Sequence, residues 1–370
     1  MRLRLEPPLR LEPRGARSAV WAAASPLLAV ALTVVGAGAI FALLGRAPGA
    51  ALYTFLVAPL LSPTGVPELF VKAAPLILIG VGLALGFRAN VWNIGAEGQF
   101  SLGAVFGGSL ALAFPDAPAI VLFPAMMVAG ALGGMALAAI PAYLRVRFNA
   151  NEILTSLMLN YVMQFLLIYL VTGPLRDPQG YGFPQSALFS ESATAPILIE
   201  GTRVHLGVLF AVLAAVGGWI LLDRSVFGYA LRVFGEAPRA ARFAGFQEKR
   251  LVWLALLVSG GLSGLAGLFE VAGPIGQLLP RISPGYGFTA IIVAFLGRLH
   301  PLGVVPAALV LALSYLGGDA AQIDLGLPSA VTGIFQGVLL FFLLACDVLI
   351  LYRVRIVRRG TAPSLEIPGA

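Results

Sequence analysis

Ten apolar stretches run through this chain of 370 residues and leave little length between them for a soluble domain. A helix needs about 20 mainly apolar residues to cross ~30 Å of hydrocarbon. Hydrophobic residues make up 59% of the chain and charged residues only 11%, against roughly 25% charged in ordinary soluble domains. We therefore predict an all-α polytopic membrane protein with about ten transmembrane helices. The eighth span is short, which is typical of a broken or re-entrant helix. The predicted spans are 19–45, 67–87, 98–114, 118–142, 153–172, 205–222, 251–272, 287–297, 302–317 and 328–350.

The basic residues predict the orientation of these spans. If the N-terminus is cytoplasmic, 19 of the 24 Lys and Arg residues lie on the cytoplasmic side, which is where membrane proteins hold their excess. We therefore expect both termini in the cytoplasm. The predicted domains are a basic arm (1–18), a transmembrane domain (19–352) and a cytoplasmic tail (353–370). The net charge of +7 is explained by this topology and by attraction to membrane lipid headgroups, so no nucleic-acid partner is predicted.

Several function classes lack their sequence signals. The chain contains no H-E-x-x-H pair, no G-x-S-x-G elbow and no phosphate-binding G-x-x-x-x-G-K loop, so we predict no catalytic residues. Its one cysteine, Cys346, excludes an intramolecular disulfide and a cysteine metal cluster, and we predict no metal site. Ion-coupled carriers usually keep a carboxylate deep within their spans. In this chain no carboxylate lies at the middle of a predicted span, which argues against proton or sodium coupling. The following carboxylates all lie near predicted helix ends: Glu97, Glu152, Glu270, Asp319 and Asp347.

Polar side chains gather in two stretches, "NVWNIGAEGQF" (90–100) and "FNANEILTSLMLNYV" (148–162). Ser156, Asn160 and Gln164 follow one another at intervals of four residues, so they share one face of the fifth span. A polar stripe of this kind suits a path for an uncharged solute rich in hydrogen-bonding groups. The alternative is that these side chains cap helices or hold them together. The candidate path residues are Asn93, Glu97, Gln99, Asn151, Ser156, Asn160 and Gln164.

The longest cytoplasmic insertion is the loop 223–250. Its "APRAARF" segment (237–243) predicts a short helix, with Glu236 in the first turn, where a carboxylate suits the helix dipole. Gly245 is expected to end this helix in a left-handed conformation. Such a small amphipathic helix is either held to lipid by its arginines or exposed as a docking surface.

The sequence "FGEAPRAARFAGF" (234–246) resembles the coupling loop of ATP-binding-cassette (ABC) importer permeases, in the branch for simple sugars, branched-chain amino acids and nucleosides. The stretches 90–100, 148–162 and "YLVTGPLRDP" (169–178) are similar to the nucleoside permeases of that branch. The resemblance covers about residues 20–350. It implies that the loop couples to an ATPase through Gly235, Glu236, Ala237, Arg239, Ala240, Ala241 and Gly245.

The resemblance further implies alternating access in a bacterial inner membrane, driven by a separate cytoplasmic ATPase that binds ATP and Mg²⁺. No cofactor is expected in this chain. The implied partners are that ATPase, a second permease (a related chain or another copy) and an extracytoplasmic substrate-binding protein or lipoprotein, for which the loop 173–204 is the expected docking surface. The alternatives left open are a ribose-type sugar importer, a stand-alone secondary carrier and a structural membrane subunit.

Overall fold

The computed structural model describes residues 9–13 and 18–356. A helix occupies each of the ten predicted spans, which confirms the all-α prediction. Most of the predicted arm (1–18) and tail (353–370) lies outside the described residues. The helices of the described part are α1 (Ala19–Leu43), α2 (Pro48–Leu56), α3 (Ala58–Leu61), α4 (Gly65–Arg88), α5 (Ala96–Ala113), α6 (Ala119–Phe148), α7 (Glu152–Thr172), α8 (Leu206–Arg224), α9 (Val226–Glu236), α10 (Pro238–Phe243), α11 (Glu248–Glu270), α12 (Tyr286–Leu296), α13 (Pro301–Leu325) and α14 (Ala330–Leu351).

Eight helices in the described part of the chain are long and apolar enough to cross a membrane, by length and composition. The two remaining predicted spans correspond to α5, which is 18 residues long, and α12, which is 11 residues long. Helix α5 carries Glu97 in its first turn, which lowers the hydropathy of a short segment. The count of about ten membrane segments therefore agrees with the fold.

The chain forms two compact units. In the first, which joins the two ends of the chain, strand β1 (Leu9–Pro13) pairs antiparallel with β2 (Tyr352–Ile356). In the same unit the Ser25 hydroxyl of α1 donates to the Asp347 carboxylate of α14 at 2.8 Å. Neither strand is predicted by the sequence, because both lie in short charged segments beside the termini. The second unit runs from Ala47 to Gln336 and holds the features described below.

Helices α5, α6 and α11 contact one another through glycine. A Cβ atom on Gly260 of α11 would lie 2.5 Å from the Cβ of Ala138 and 2.6 Å from the carbonyl oxygen of Gly134, both on α6. Gly103 of α5 and Gly264 of α11 are equally crowded by neighbouring backbone. Small residues allow this close approach, which stabilises helix pairs where lipid offers no hydrophobic driving force.

The eighth predicted span is a half-length helix, as its sequence indicates. Helix α11 ends in a π-helical turn (Val271–Ile275), and a non-helical segment, 276–285, precedes α12. The left-handed conformations of Gly276 (φ 78°) and Gly285 (φ 108°) mark its two ends. Eleven helical residues rise about 16 Å, roughly half of the ~30 Å hydrocarbon thickness. Non-helical backbone at that depth is stable only where it is buried in protein or lines a cavity.

Candidate functional site

Asn93 and Gln99 form a buried amide pair at the start of α5. The Asn93 Nδ2 donates to Gln99 Oε1 at 2.8 Å, and Gln99 Nε2 donates back to Asn93 Oδ1 at 3.0 Å. Asn93 also donates to the hydroxyl of Ser259 on α11 at 2.9 Å and accepts from the Gly95 amide. Both side chains are 1% exposed. Their hydrogen bonds therefore hold α11 and the segment before α5 together.

Asn160 links α7 to the beginning of α5. Its Oδ1 accepts from the Gly98 amide at 2.8 Å, and its Nδ2 donates to the Ile94 carbonyl at 2.8 Å. One turn earlier on α7, Ser156 is fully buried and its hydroxyl accepts from the Ile94 amide at 3.2 Å. The shared helix face predicted for these two residues is confirmed, and its polar groups bind backbone of the neighbouring segment.

The remaining candidate path residues have separate environments. Asn151 is the N-cap of α7, and its Oδ1 accepts from the Ile153 amide at 2.9 Å. Glu97 accepts from the Gly287 amide of α12 through Oε2 at 2.7 Å, so its carboxylate lies at the N-terminus of the half-length helix. Gln164 is exposed on α7.

A cavity of about 320 Å³, which we call the Gln164 cavity, brings three of the candidate path residues together. Glu97, Asn160 and Gln164 line it, and the segment 280–285 forms its opposite wall. Asn93, Gln99, Asn151 and Ser156 do not line it. For those four, the hydrogen bonds are the ones expected of helix caps and helix contacts.

A second, larger cavity shares this segment as part of its lining. This Glu270 cavity, about 680 Å³ in volume, is formed by α4, α11, α12, α13 and α14. Residues 281–284 line both cavities. The polar side chains of the Glu270 cavity are Lys72, Glu270, Arg281, Ser283, Tyr286, Tyr315, Asp319, Gln322, Ser329, Thr332 and Gln336.

None of these polar residues is among the sequence-predicted path residues. Glu270 and Asp319 do stand out in the sequence as carboxylates near helix ends, and Gln336 lies inside the predicted span 328–350. They belong to three different helices, so no spacing along the chain reveals that they share a cavity. Part of the lining is internally bonded: the Thr289 hydroxyl lies 2.7 Å from the Tyr315 hydroxyl and donates to Gln336 Oε1 at 3.0 Å.

The cytoplasmic loop contains two helices rather than one. The predicted short helix is present as α10, and Gly245 follows it with φ 82°. The position predicted for Glu236 is wrong: it is the last residue of α9, and Ala237 is the N-cap of α10. The residue before a proline avoids the helical conformation. Ala237 precedes Pro238 and is non-helical (φ −144°, ψ 76°), so it separates α9 from α10.

The loop is fixed to the bundle on one face and open on the other. Ala241 is 0% exposed and packs in an apolar cluster with residues such as Leu231 and Val252. Gly235 contacts the backbone of Arg88 at the end of α4 so closely that a Cβ would overlap its carbonyl oxygen. The other implied coupling residues, Glu236, Ala237, Arg239, Ala240 and Gly245, are exposed.

Phe243 is an exposed aromatic residue of this loop that is not among the coupling residues implied by the resemblance. Its side chain is 95% exposed at the end of α10. Beside it lies a groove of about 460 Å³ between the end of α6 and the start of α11, whose charged lining residues are Arg145, Arg147, Arg242, Glu248 and Lys249. Arg242 is paired with Glu248. Aromatic and arginine side chains are enriched at protein interfaces, so the exposed Phe243 and the neighbouring arginines suit a docking surface.

Residues 65–344 match the family described as "Branched-chain amino acid transport system / permease component". The chain belongs to this permease family. Several relatives have names that state a transported solute. A glucose ABC transporter permease of Haloferax volcanii is 36% identical, over 98% of each chain. A guanosine ABC transporter permease of Bacillus subtilis is 32% identical, over 75% of this chain and 80% of the relative. A nucleoside ABC transporter permease of Lactococcus lactis is 26% identical, over 86% and 89%.

This family membership confirms the resemblance seen in the sequence. The permease is the membrane component of an ABC transporter and a multi-pass protein of the plasma membrane. The alternatives of a stand-alone secondary carrier and of a structural subunit in a non-transport complex lose their support.

Proposed function

We propose that this permease carries nucleosides inward across a bacterial inner membrane by alternating access. The observation that supports this most is the pair of cavities that share the segment 281–284 and are lined by amide, hydroxyl and carboxyl side chains. Nucleosides are uncharged and rich in donors and acceptors, and amide, hydroxyl and carboxyl groups along a path replace the water that they lose. The guanosine and nucleoside permeases among the relatives support the same solute class.

A simple-sugar importer is the second candidate, and one observation favours it directly. The similarity to the glucose permease extends over 98% of this chain, which is more than the 75% covered by the guanosine permease. The cavities suit a sugar equally well by residue type, because sugars also exchange water for hydroxyl and carboxyl partners. The resemblance of three stretches to nucleoside permeases favours nucleosides instead: 90–100, 148–162 and 169–178.

The energy for this movement comes, in our proposal, from a separate ATPase that binds ATP and Mg²⁺, and the permease itself carries no catalytic site. The exposed face of α10 supports this, because Arg239 and Phe243 are free to contact another protein while Ala241 anchors the helix to the bundle. A push on α10 would therefore pass through α9 to the end of α4, where Gly235 meets Arg88.

Two further partners complete the proposed importer: a second permease, either a related chain or another copy, and an extracytoplasmic binding protein or lipoprotein. The segment 173–204 supports docking of the latter. It exposes several large apolar side chains outside any helix: Tyr181 (98%), Phe183 (66%) and Leu188 (74%).

Uptake measurements test the proposed function. Cells that express the permease with its neighbouring genes are given labelled guanosine, with and without ATP depletion, and with excess unlabelled adenosine, uridine or ribose. We expect ATP-dependent uptake that nucleosides suppress and ribose does not. ATP-dependent uptake of ribose or glucose without guanosine uptake would establish the sugar importer instead, and the absence of any ATP-dependent flux would contradict both.

A further inference from the structure

The hydroxyl of Tyr286 is a buried polar group without a normal partner. Tyr286 is 0% exposed at the start of α12, and its side chain lines the Glu270 cavity. Among the described residues, no group forms a hydrogen bond of normal geometry with its hydroxyl oxygen. A buried polar atom left unpaired costs free energy, so a group of this kind inside a cavity indicates that a ligand or water supplies its partner.

The neighbouring tyrosine shows the contrast. The ring of Tyr315 lies 5.4 Å from that of Tyr286 in an edge-to-face arrangement. Its hydroxyl is 2.7 Å from the Thr289 hydroxyl, so its hydrogen-bonding capacity is already used within the protein. Of the two tyrosine hydroxyls in this cavity, only that of Tyr286 lacks a hydrogen bond of normal geometry to a described residue.

Glu270 supplies an acceptor beside this donor. Glu270 ends α11, is 7% exposed and lines the same cavity. Its carboxyl group is the nearest hydrogen-bonding neighbour of the Tyr286 hydroxyl, but the two do not meet in normal hydrogen-bond geometry. Lys72 and Arg203 exert an opposing charge on Glu270. A carboxyl group and a phenol hydroxyl thus face one polar space, with an aromatic pair forming part of the wall.

Adjacent hydroxyls of a sugar ring match this arrangement. Each hydroxyl donates and accepts, so one can donate to a carboxylate while its neighbour accepts from a phenol. Carboxylates bind ribose hydroxyls in this way in dinucleotide-binding proteins. The aromatic rings offer an apolar surface for the C–H groups of the sugar, in the usual mixture of apolar walls and a few placed polar groups.

We propose that Tyr286 and Glu270 bind the vicinal hydroxyls of the sugar moiety of the transported solute. This inference rests on the proposed function, and it deepens it by assigning the part of the solute that the Glu270 cavity recognises. Both candidate solute classes, nucleosides and simple sugars, carry such hydroxyls. The competing assignment is that Glu270 binds donors on a nucleobase, and the experiment below separates the two.

The test compares guanosine with 2′,3′-dideoxyguanosine in the complete transporter. Transport of labelled guanosine is measured for the unchanged permease, for Tyr286→Phe and for Tyr169→Phe, with each compound as competitor. Tyr169 is 65% exposed on α7 and serves as the matched control for loss of a tyrosine hydroxyl. We expect Tyr286→Phe to raise the KM for guanosine by roughly two- to tenfold, the value of one hydrogen bond. The inhibition constant of dideoxyguanosine should not change, and Tyr169→Phe should behave like the unchanged protein.

A second variant covers the acceptor. Glu270→Gln keeps the size of the side chain and removes its charge, and it should weaken competition by guanosine and by inosine equally, because the two share ribose and differ in the base. A larger loss for guanosine than for inosine would overturn the sugar assignment in favour of base recognition. Equal losses for guanosine and dideoxyguanosine in Tyr286→Phe, or no change for either, would also overturn it. Failure of the proposed function itself is distinct, because the unchanged permease would then show no ATP-dependent guanosine uptake.

Discussion

Replacement of Gly260 by alanine tests whether backbone contact between α6 and α11 stabilises the bundle. The new Cβ would lie 2.5 Å from the Ala138 Cβ and 2.6 Å from the Gly134 carbonyl oxygen, whereas carbon atoms in contact prefer about 3.5 Å. Neither neighbour is the end of a flexible side chain, so the two helices must separate locally by about 1 Å. Overpacking of this kind costs typically about 1–3 kcal/mol.

Alanine also has an advantage in a helix of roughly 0.5–1 kcal/mol over glycine, which offsets part of that cost. We therefore expect Gly260→Ala to destabilise the protein by about 1–2 kcal/mol. Gly217→Ala is the matched control, because Gly217 lies within α8 and a Cβ there has no atom within 4 Å. It should leave stability unchanged or raise it slightly.

The assay is thermal denaturation of the purified permease in detergent, with the folded fraction read by size-exclusion chromatography. Gly260→Ala should lower the midpoint by a few degrees while Gly217→Ala does not. Equal midpoints for Gly260→Ala and the unchanged protein would refute the reasoning, because the two helices would then accommodate the added methyl group without loss of stability. A matching decrease in both variants would instead indicate a general effect of alanine.

Three further predictions concern the site and its supports. Asn160→Leu should destabilise the protein by about 1–3 kcal/mol, since it leaves two backbone groups unpaired. Gln164→Leu should lower uptake without a change in the denaturation midpoint. A lower midpoint for Gln164→Leu with an unchanged midpoint for Asn160→Leu would contradict these roles. Phe243→Ala should reduce ATP-dependent uptake and co-purification of the ATPase at an unchanged midpoint, and full coupling in this variant would remove α10 from the interface. Asn151→Ala should cost about 1 kcal/mol through loss of the α7 N-cap, measured by the same denaturation assay.

The membrane helices and the break before α12 are predictable from the sequence, because the cost of burying unpaired backbone in lipid requires one apolar segment per span. The short helices α2, α3 and α9 lie between the predicted spans and are not predicted. The short stretch before Arg298 correctly indicated a broken helix. The roles of the amide side chains are harder to predict from the sequence than the helices are. Asn160 and Gln164 share a helix face and a residue type, yet one is bonded to backbone and the other faces a cavity. That difference depends on where α5 lies, which spacing along α7 does not contain.

The Glu270 cavity is not predictable from the sequence for a related reason. Lys72, Glu270 and Gln336 lie on three helices that are distant in sequence, so only the tertiary packing brings them together. The predicted position of Glu236 in the first turn of α10 is wrong, because α9 continues to this residue. The next helix starts only at Pro238, after the non-helical Ala237.

The segment shared by the two cavities has a consequence for the electrical insulation of the membrane. A nucleoside is far larger than a proton or a sodium ion, so an opening that joined the Gln164 and Glu270 cavities would pass ions before it passed solute and would dissipate the membrane potential. Residues 281–284 line both volumes, and Ile282 within them is 5% exposed. Substitutions that loosen this segment should therefore be harmful to a cell even when no substrate is present.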